Sequence, residues 1–175
     1  MSNKKMDKNN VVFQHWDAWS KLASKMQSNY FKRKLKVGRT VKCVSVYDVF
    51  TKDEIAKIKR YCMIEQHMCY RTAYRLANLF PERVKYIEGE VVILNGGLSI
   101  EHAWNLVDGE HYVDLTFELA LKENVTDRTY VALGEYNVDV IRDVACETHV
   151  YGGVYDKLYF DEIKKKESKT KNKKQ

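Results

Sequence analysis

Two periodicities divide this chain, and they meet at Pro81, its only proline. Before Pro81 apolar residues recur at spacings of three and four, the mark of helices packed on one face. After it they cluster in short runs rich in Val, Ile and Tyr, separated by turn signals. Helices followed by strands predict an α+β fold with helices packed on an antiparallel sheet. With 175 residues, 45% of them apolar, the chain has the material for one core and little for a second.

The helical half begins with Phe13, Trp16, Trp19, Leu22, Ala23, Met26 and Tyr30. That stripe predicts one helix over Phe13 to Phe31 with a core-facing side; it either covers a cleft as a lid or completes the core. Lys36 to Tyr47 alternates around Val37, Val41, Val44 and Val46 and predicts a strand. Thr51-Lys52-Asp53-Glu54 fits a capping box and opens another helix. A further helix starts near Met68, with Cys69, Ala73, Leu76, Ala77 and Phe80 on one face, and Pro81 stops it. Beyond it Val84 to Leu94, Ile100 to Val107, Glu110 to Phe117, Val131 to Ile141 and Thr148 to Phe160 read as strands. Asn95-Gly96-Gly97 and Asp108-Gly109 mark turns, and Gly152-Gly153 a break.

Net charge is +6, but the ends carry it: +2 in the first ten residues, +6 from Lys164 to Gln175, and −2 in the body between. Blocks of like charge predict disorder. The domain reading is therefore a basic disordered N-terminus over 1–10, one α+β catalytic-type domain over 11–163, and a Lys-rich disordered tail over 164–175. Such a tail suits weak contact with nucleic acid or an acidic partner. No run of 18 apolar residues exists, so no membrane helix is expected. The first residues lack the apolar stretch of a signal peptide, which points to a reducing cytoplasm.

The four cysteines, Cys43, Cys62, Cys69 and Cys146, form no CxxC pair, and neither a metal nor a cofactor is expected. Cys69 falls in the first turn of its helix, where unpaired N–H groups and the helix dipole favour a thiolate. A thiolate nucleophile needs a base, and the base needs an orienting group. His102 lies on a strand entering a hairpin, and Asp114 lies on the strand leaving it. A three-residue loop of Val107, Asp108 and Gly109 would set His102 directly opposite Asp114. A two-residue loop of Asp108 and Gly109 would pair Asp114 with Ala103 and send His102 to the other face. Asp-Gly is compatible with both.

Met68-Cys69-Tyr70-Arg71-Thr72-Ala73, Tyr86-Ile87-Glu88-Gly89, Ile100-Glu101-His102-Ala103-Trp104-Asn105 and Val113-Asp114-Leu115-Thr116 follow in that order. Together they resemble the core of the papain-like and transglutaminase-like cysteine enzymes, and in particular small bacterial and phage members of that superfamily. The resemblance covers about Tyr61 to Phe117. It implies Cys69 as nucleophile, His102 as general base and Asp114 as orienter, acting on an amide, isopeptide or ester bond of a protein or peptide-like substrate through a thioacyl intermediate. Water or an amine would receive the acyl group. The family often has Asp-Pro-Thr where this chain has Asp114-Leu115-Thr116, and Asn where it has Thr72. An oxyanion hole is expected from the Cys69 N–H, with the Gln66 amide as second donor, and Trp104 is expected as a site wall. The alternative is a catalytically silent binding or inhibitor protein on the same fold, contacting a host protein or nucleic acid.

Overall fold

The computed structural model describes residues 9–93 and 97–172. In chain order the elements are α1 (Val11–Leu22), α2 (Lys25–Val37), β1 (Arg39–Val41), α3 (Val46–Val49), α4 (Lys52–Tyr61), α5 (Cys69–Leu79), β2 (Val84–Ile93), β3 (Leu98–Val107), β4 (His111–Val113), a π-helical turn (Thr116–Ala120), β5 (Tyr130–Tyr136), α6 (Val138–Thr148) and α7 (Val154–Asn172). The class is mixed helix and sheet. All strand pairs are antiparallel, in the order β1-β5-β2-β3-β4. Just past β1, Cys43 forms a bridge with Tyr112 of β4, and the Val44 N–H donates to the Tyr112 carbonyl at 2.8 Å. The two edges of the sheet thus meet, and the sheet is curled.

Alternation along the strands sorts the core into two faces. Ile87, Val91, Trp104, Leu106, Tyr130 and Ala132 fill one with Val41, Cys43 and Phe117. Val84, Tyr86, Ala103 and Val107 belong to the other, where Ile58, Ala73, Leu76, Ile141 and Val144 of the helices cover them. α1 adds a smaller cluster of Val12, Phe13 and Trp16 on Val131.

The helices before Pro81 follow local signals. Thr51 and Glu54 form the reciprocal capping box, with Glu54 N–H to Thr51 Oγ1 at 3.3 Å and Thr51 N–H to Glu54 Oε2 at 2.9 Å. α5 buries Cys69, Thr72, Ala73, Leu76 and Ala77 and ends at Phe80, ahead of Pro81. The buried Asn105 of β3 donates to the Ala73 carbonyl at 2.9 Å, so the middle of α5 is fixed to the sheet.

Several expectations are corrected. The stripe over Phe13 to Phe31 is two helices, broken where Ala23 and Ser24 are extended, with Trp19 stacked on Phe31 at 6.1 Å across the αα-hairpin. Phe13 and Trp16 are core, whereas Trp19, Leu22 and Met26 are exposed. The strand expected over Lys36 to Tyr47 shrinks to β1, because α2 runs to Val37 and Ser45 caps α3. β5 stops at Tyr136, and Asn137 opens α6. The strand expected over Thr148 to Phe160 is the end of α6 and the start of α7. Glu88 of β2 accepts from the Val154 N–H at 3.1 Å and the Tyr155 N–H at 2.8 Å, and so caps α7 from across the fold. Where a disordered tail is expected from residue 164, α7 continues helical to Asn172. The expected disordered N-terminus falls largely on residues 1–8, and the Asn95-Gly96 turn on residues 94–96, both outside the described residues. Among the described residues no helix is long and apolar enough to cross a membrane.

Gly89 sits on β2 opposite His102, at a register shift between β2 and β5. A Cβ there would lie 2.0 Å from the Val131 carbonyl oxygen and 2.8 Å from Trp104 Cη2. Gly89→Ala is therefore expected to force β5 away and to cost about 2–3 kcal/mol, as overpacking does. Thermal unfolding followed by circular dichroism should show a melting temperature lower by roughly 5–10 °C; an unchanged value would mean that the close approach is not needed.

Candidate active site

The hairpin between β3 and β4 sets the site, and its register differs from both expected loops. Asp108 (φ 53°) and Gly109 (φ 76°) are both left-handed, the sign pattern of a type I′ turn, and the Glu110 N–H donates to the Val107 carbonyl at 3.0 Å. Glu110 is then an extra residue, and Val107 faces His111. Arg83 holds this turn. Its guanidinium forks onto the Asp108 carboxylate at 2.9 and 2.8 Å, and its carbonyl accepts from the Asp108 N–H at 2.8 Å. In this register Asp114 falls in line with Trp104 rather than opposite His102. The parity is nonetheless that of the three-residue loop, so His102 and Asp114 share a face as diagonal neighbours. Nε2 of His102 lies 2.7 Å from Oδ2 of Asp114.

Asp114 is fully buried and accepts four hydrogen bonds. Oδ1 takes the N–H groups of Thr116 and Phe117 at 3.0 and 3.1 Å, where the chain enters the π-helical turn. Oδ2 takes His102 and the Tyr130 hydroxyl, the latter at 3.1 Å from β5. These donors suit an anion.

His102 is equally buried, with Phe117 against its ring at 4.9 Å and Trp104 stacked at 6.2 Å. Burial alone would lower its proton affinity. The Asp114 charge and hydrogen bond, with the Cys69 hydrogen bond and charge, outweigh burial and push its pKa up to about 10. Because Nε2 is committed to Asp114, Nδ1 is the ring nitrogen left for Cys69.

Cys69 is the first residue of α5. No acidic side chain occupies that first turn to compete for the positive end of the helix. The other cysteines differ in kind. Burial pushes the Cys43 thiol far up, with the Asp114 charge adding to it, and pushes Cys62 up to about 11. Cys146 is exposed on α6.

Cys69 and His102 open onto a cleft of about 510 Å³ with Ile93, Ile100, Phe117 and Leu121 as apolar walls and His67 among its lining residues. Arg128 sits 4.0 Å over the Phe117 ring and pairs with Glu123 there. The structure thus brings Cys69, His102 and Asp114 together. It does not bring Gln66 in: that residue is exposed and lines no part of the cleft. His67, left-handed at φ 61°, lines it instead. Trp104, expected as a wall, is buried behind the imidazole and does not face the cleft.

Tyr130 and Asn105 escape a reading of the sequence. Tyr130 looks like any strand aromatic, and only the β5 register brings it to Asp114. Asn105 carried one signal, a polar residue in an apolar strand three positions after His102. Compared with protein-family models, curated proteins and solved structures, the chain matches none.

A raised His102 pKa makes folding pH-dependent in one direction. The stabilisation is fully present below about pH 6.5, the ordinary histidine value, and is lost as pH rises toward about 10. Urea unfolding at pH 6.5, 8 and 10 should therefore show wild-type stability falling more steeply than that of His102→Gln. Parallel slopes would mean that the folded protein keeps this imidazole neutral.

Proposed function

We propose that the protein is a cysteine hydrolase or acyltransferase of papain-like or transglutaminase-like type, working on an amide, isopeptide or ester carbonyl. The observation that carries this reading is the gathering of Cys69 at a helix start with His102, whose ring is bonded to Asp114 at 2.7 Å, at one cleft. A helix packed on an antiparallel sheet, with the nucleophile at the helix N-terminus, agrees with the resemblance carried by the motifs between Tyr61 and Phe117.

In the reaction so assigned, His102 takes the proton of the Cys69 thiol, the sulfur adds to the carbonyl carbon, and the carbonyl π pair moves onto oxygen. The Cys69 N–H, in the first turn of α5 where such groups have no intrahelical partner, would donate to that oxyanion. The tetrahedral adduct collapses, the bond to nitrogen or oxygen breaks, and its electron pair takes the proton from the His102 imidazolium. A thioester on Cys69 and a free amine or alcohol result. Water or a second amine then gives a proton to His102 as it attacks the thioester, and the C–S pair returns to sulfur. Asp114 holds the imidazole in one tautomer and stabilises its charged form throughout. The cleft walls are apolar enough to seat a peptide-like acyl donor.

Alkylation with iodoacetamide, read cysteine by cysteine by peptide mass spectrometry, tests the reading. Near pH 6 Cys69 is expected to react at least roughly tenfold faster than the exposed Cys146, on the principle that the thiolate is the nucleophile. Cys43 and Cys62 should lag behind both. His102→Ala should abolish the advantage, and Asp114→Asn should reduce it. A Cys69 that reacts no faster than Cys146 in the wild type removes the activated nucleophile and with it the enzyme.

A further inference from the structure

α7 does two different things along its length. Its first turns are fastened to the body. Glu88 caps it, Tyr155 and Tyr159 are buried, and Tyr30 of α2 donates to Asp156 at 2.5 Å and stacks on Phe160 at 6.0 Å. From Lys164 the helix leaves the body, and every residue from 164 to 170 is exposed. These seven are Lys, Lys, Lys, Glu, Ser, Lys and Thr, without an apolar side chain among them. Alongside the arm runs a groove of about 520 Å³ between α2 and α7, whose lining mixes Lys25, Arg33 and Lys166 with Glu167, Met26 and Ile163. Glu162 pairs with both Arg33, at 2.9 Å, and Lys166, at 2.6 Å, so one carboxylate links the cations of the two helices.

We infer that this helical arm, with the adjoining edge of α2, is a binding surface for the phosphate backbone of nucleic acid. The chemistry of the arm chooses among polyanions. An interfacial helix needs an apolar face to sink into a lipid surface, and residues 164–170 have none. A protein interface is built around apolar and aromatic residues at its centre; residues 164–170 supply none, and the apolar Met26, Tyr159 and Ile163 belong to the adjoining groove, not to the arm. Phosphate binding needs only cations, since it is driven by counterion release. A rigid helix also serves it better than a loose tail, because the lysines are already ordered on a scaffold anchored at Glu88. Lysine contacts to phosphate position a strand without reading bases, so the binding is independent of sequence. The start of α7 lies at the back of the candidate site, where Gly153, Tyr155 and Asp156 line a small cavity with Tyr70, Glu101 and His102. Binding at this surface does not depend on the catalytic reading.

Fluorescence anisotropy of a labelled 20-mer DNA, duplex and single-stranded, tests it on the full chain at 50–300 mM KCl. Lys25, Lys164, Lys165, Lys166 and Lys169 are expected to give a log–log salt slope of about −4.5 on duplex DNA, at roughly −0.9 per phosphate neutralised. The variant K164Q/K165Q/K166Q/K169Q keeps good helix formers in place. It should bind at least roughly tenfold more weakly at 50 mM salt, with the slope reduced by about 3.6, while Cys69 alkylation is unchanged. Four results overturn the inference: no binding at 50 mM salt, equal binding by the variant, displacement by polyglutamate as effective as by unlabelled DNA at equal charge, or tighter retention on phosphatidylserine vesicles than on DNA.

Discussion

One buried carboxylate organises the candidate site. Asp114 accepts from His102 on β3, from Tyr130 on β5, and from two N–H groups of the π-helical turn that follows β4. Those donors belong to segments brought together by the curl of the sheet, and Asp114 is the point at which all of them are satisfied at once. A charge in that position is tolerable only because its oxygens are fully engaged; an unpaired one would cost several kcal/mol. The same bonds fix the imidazole, and the imidazole fixes where a nucleophile has to stand. Cys69 stands there because Asn105 and the Ala73–Leu76 face hold α5 against the other side of the sheet, leaving its N-terminus beside His102.

Two further carboxylates on β2 do for the helices what Asp114 does for the site. Glu88 supplies the acceptors that the first N–H groups of α7 lack, and burial raises its pKa while those N–H groups and the Tyr86 hydroxyl pull it back. Glu90 accepts from the Trp16 indole at 2.5 Å, from Ser99 at 2.7 Å and from the buried Lys34 at 3.3 Å, joining α1 and α2 to the sheet. Lys34 is further enclosed by the rings of Trp16, Tyr30 and Phe31. Acidic residues that look misplaced in an apolar strand are thus the attachment points of helices that cover one face of it.

What could be read from the chain alone is what neighbouring residues decide among themselves. The capping box at Thr51 and Glu54, the stripe Cys69-Ala73-Leu76-Ala77 ending before Pro81, and the extended runs of β2 and β3 each carry their cause within a few residues. The failures have distant causes. Phe13 to Tyr30 keeps one period through two helices, because the turn at Ala23 and Ser24 is settled by Trp19 meeting Phe31. Val150 to Phe160 is rich in strand-forming residues, yet most of that stretch belongs to a helix whose cap comes from Glu88, 66 residues earlier. The lysines beyond it are helical because a helix already anchored needs no new nucleus.

The sequence by itself determined the kinds of groups available and their order: a thiol at a helix start, an imidazole on one strand, a carboxylate past the next turn. Such statements depend on spacing along the chain, which local periodicity reports. Only the tertiary structure decided the register of the hairpin, through Arg83 clamping Asp108. It also decided the choice of Tyr130 as fourth donor to Asp114, the exclusion of Gln66 from the cleft, and the placing of Trp104 behind His102. Each of these is a distance between residues far apart in the chain, set by the curl of the sheet and by buried charges that had to find their partners. No local propensity encodes such a distance, because the partners come within reach only when the core closes.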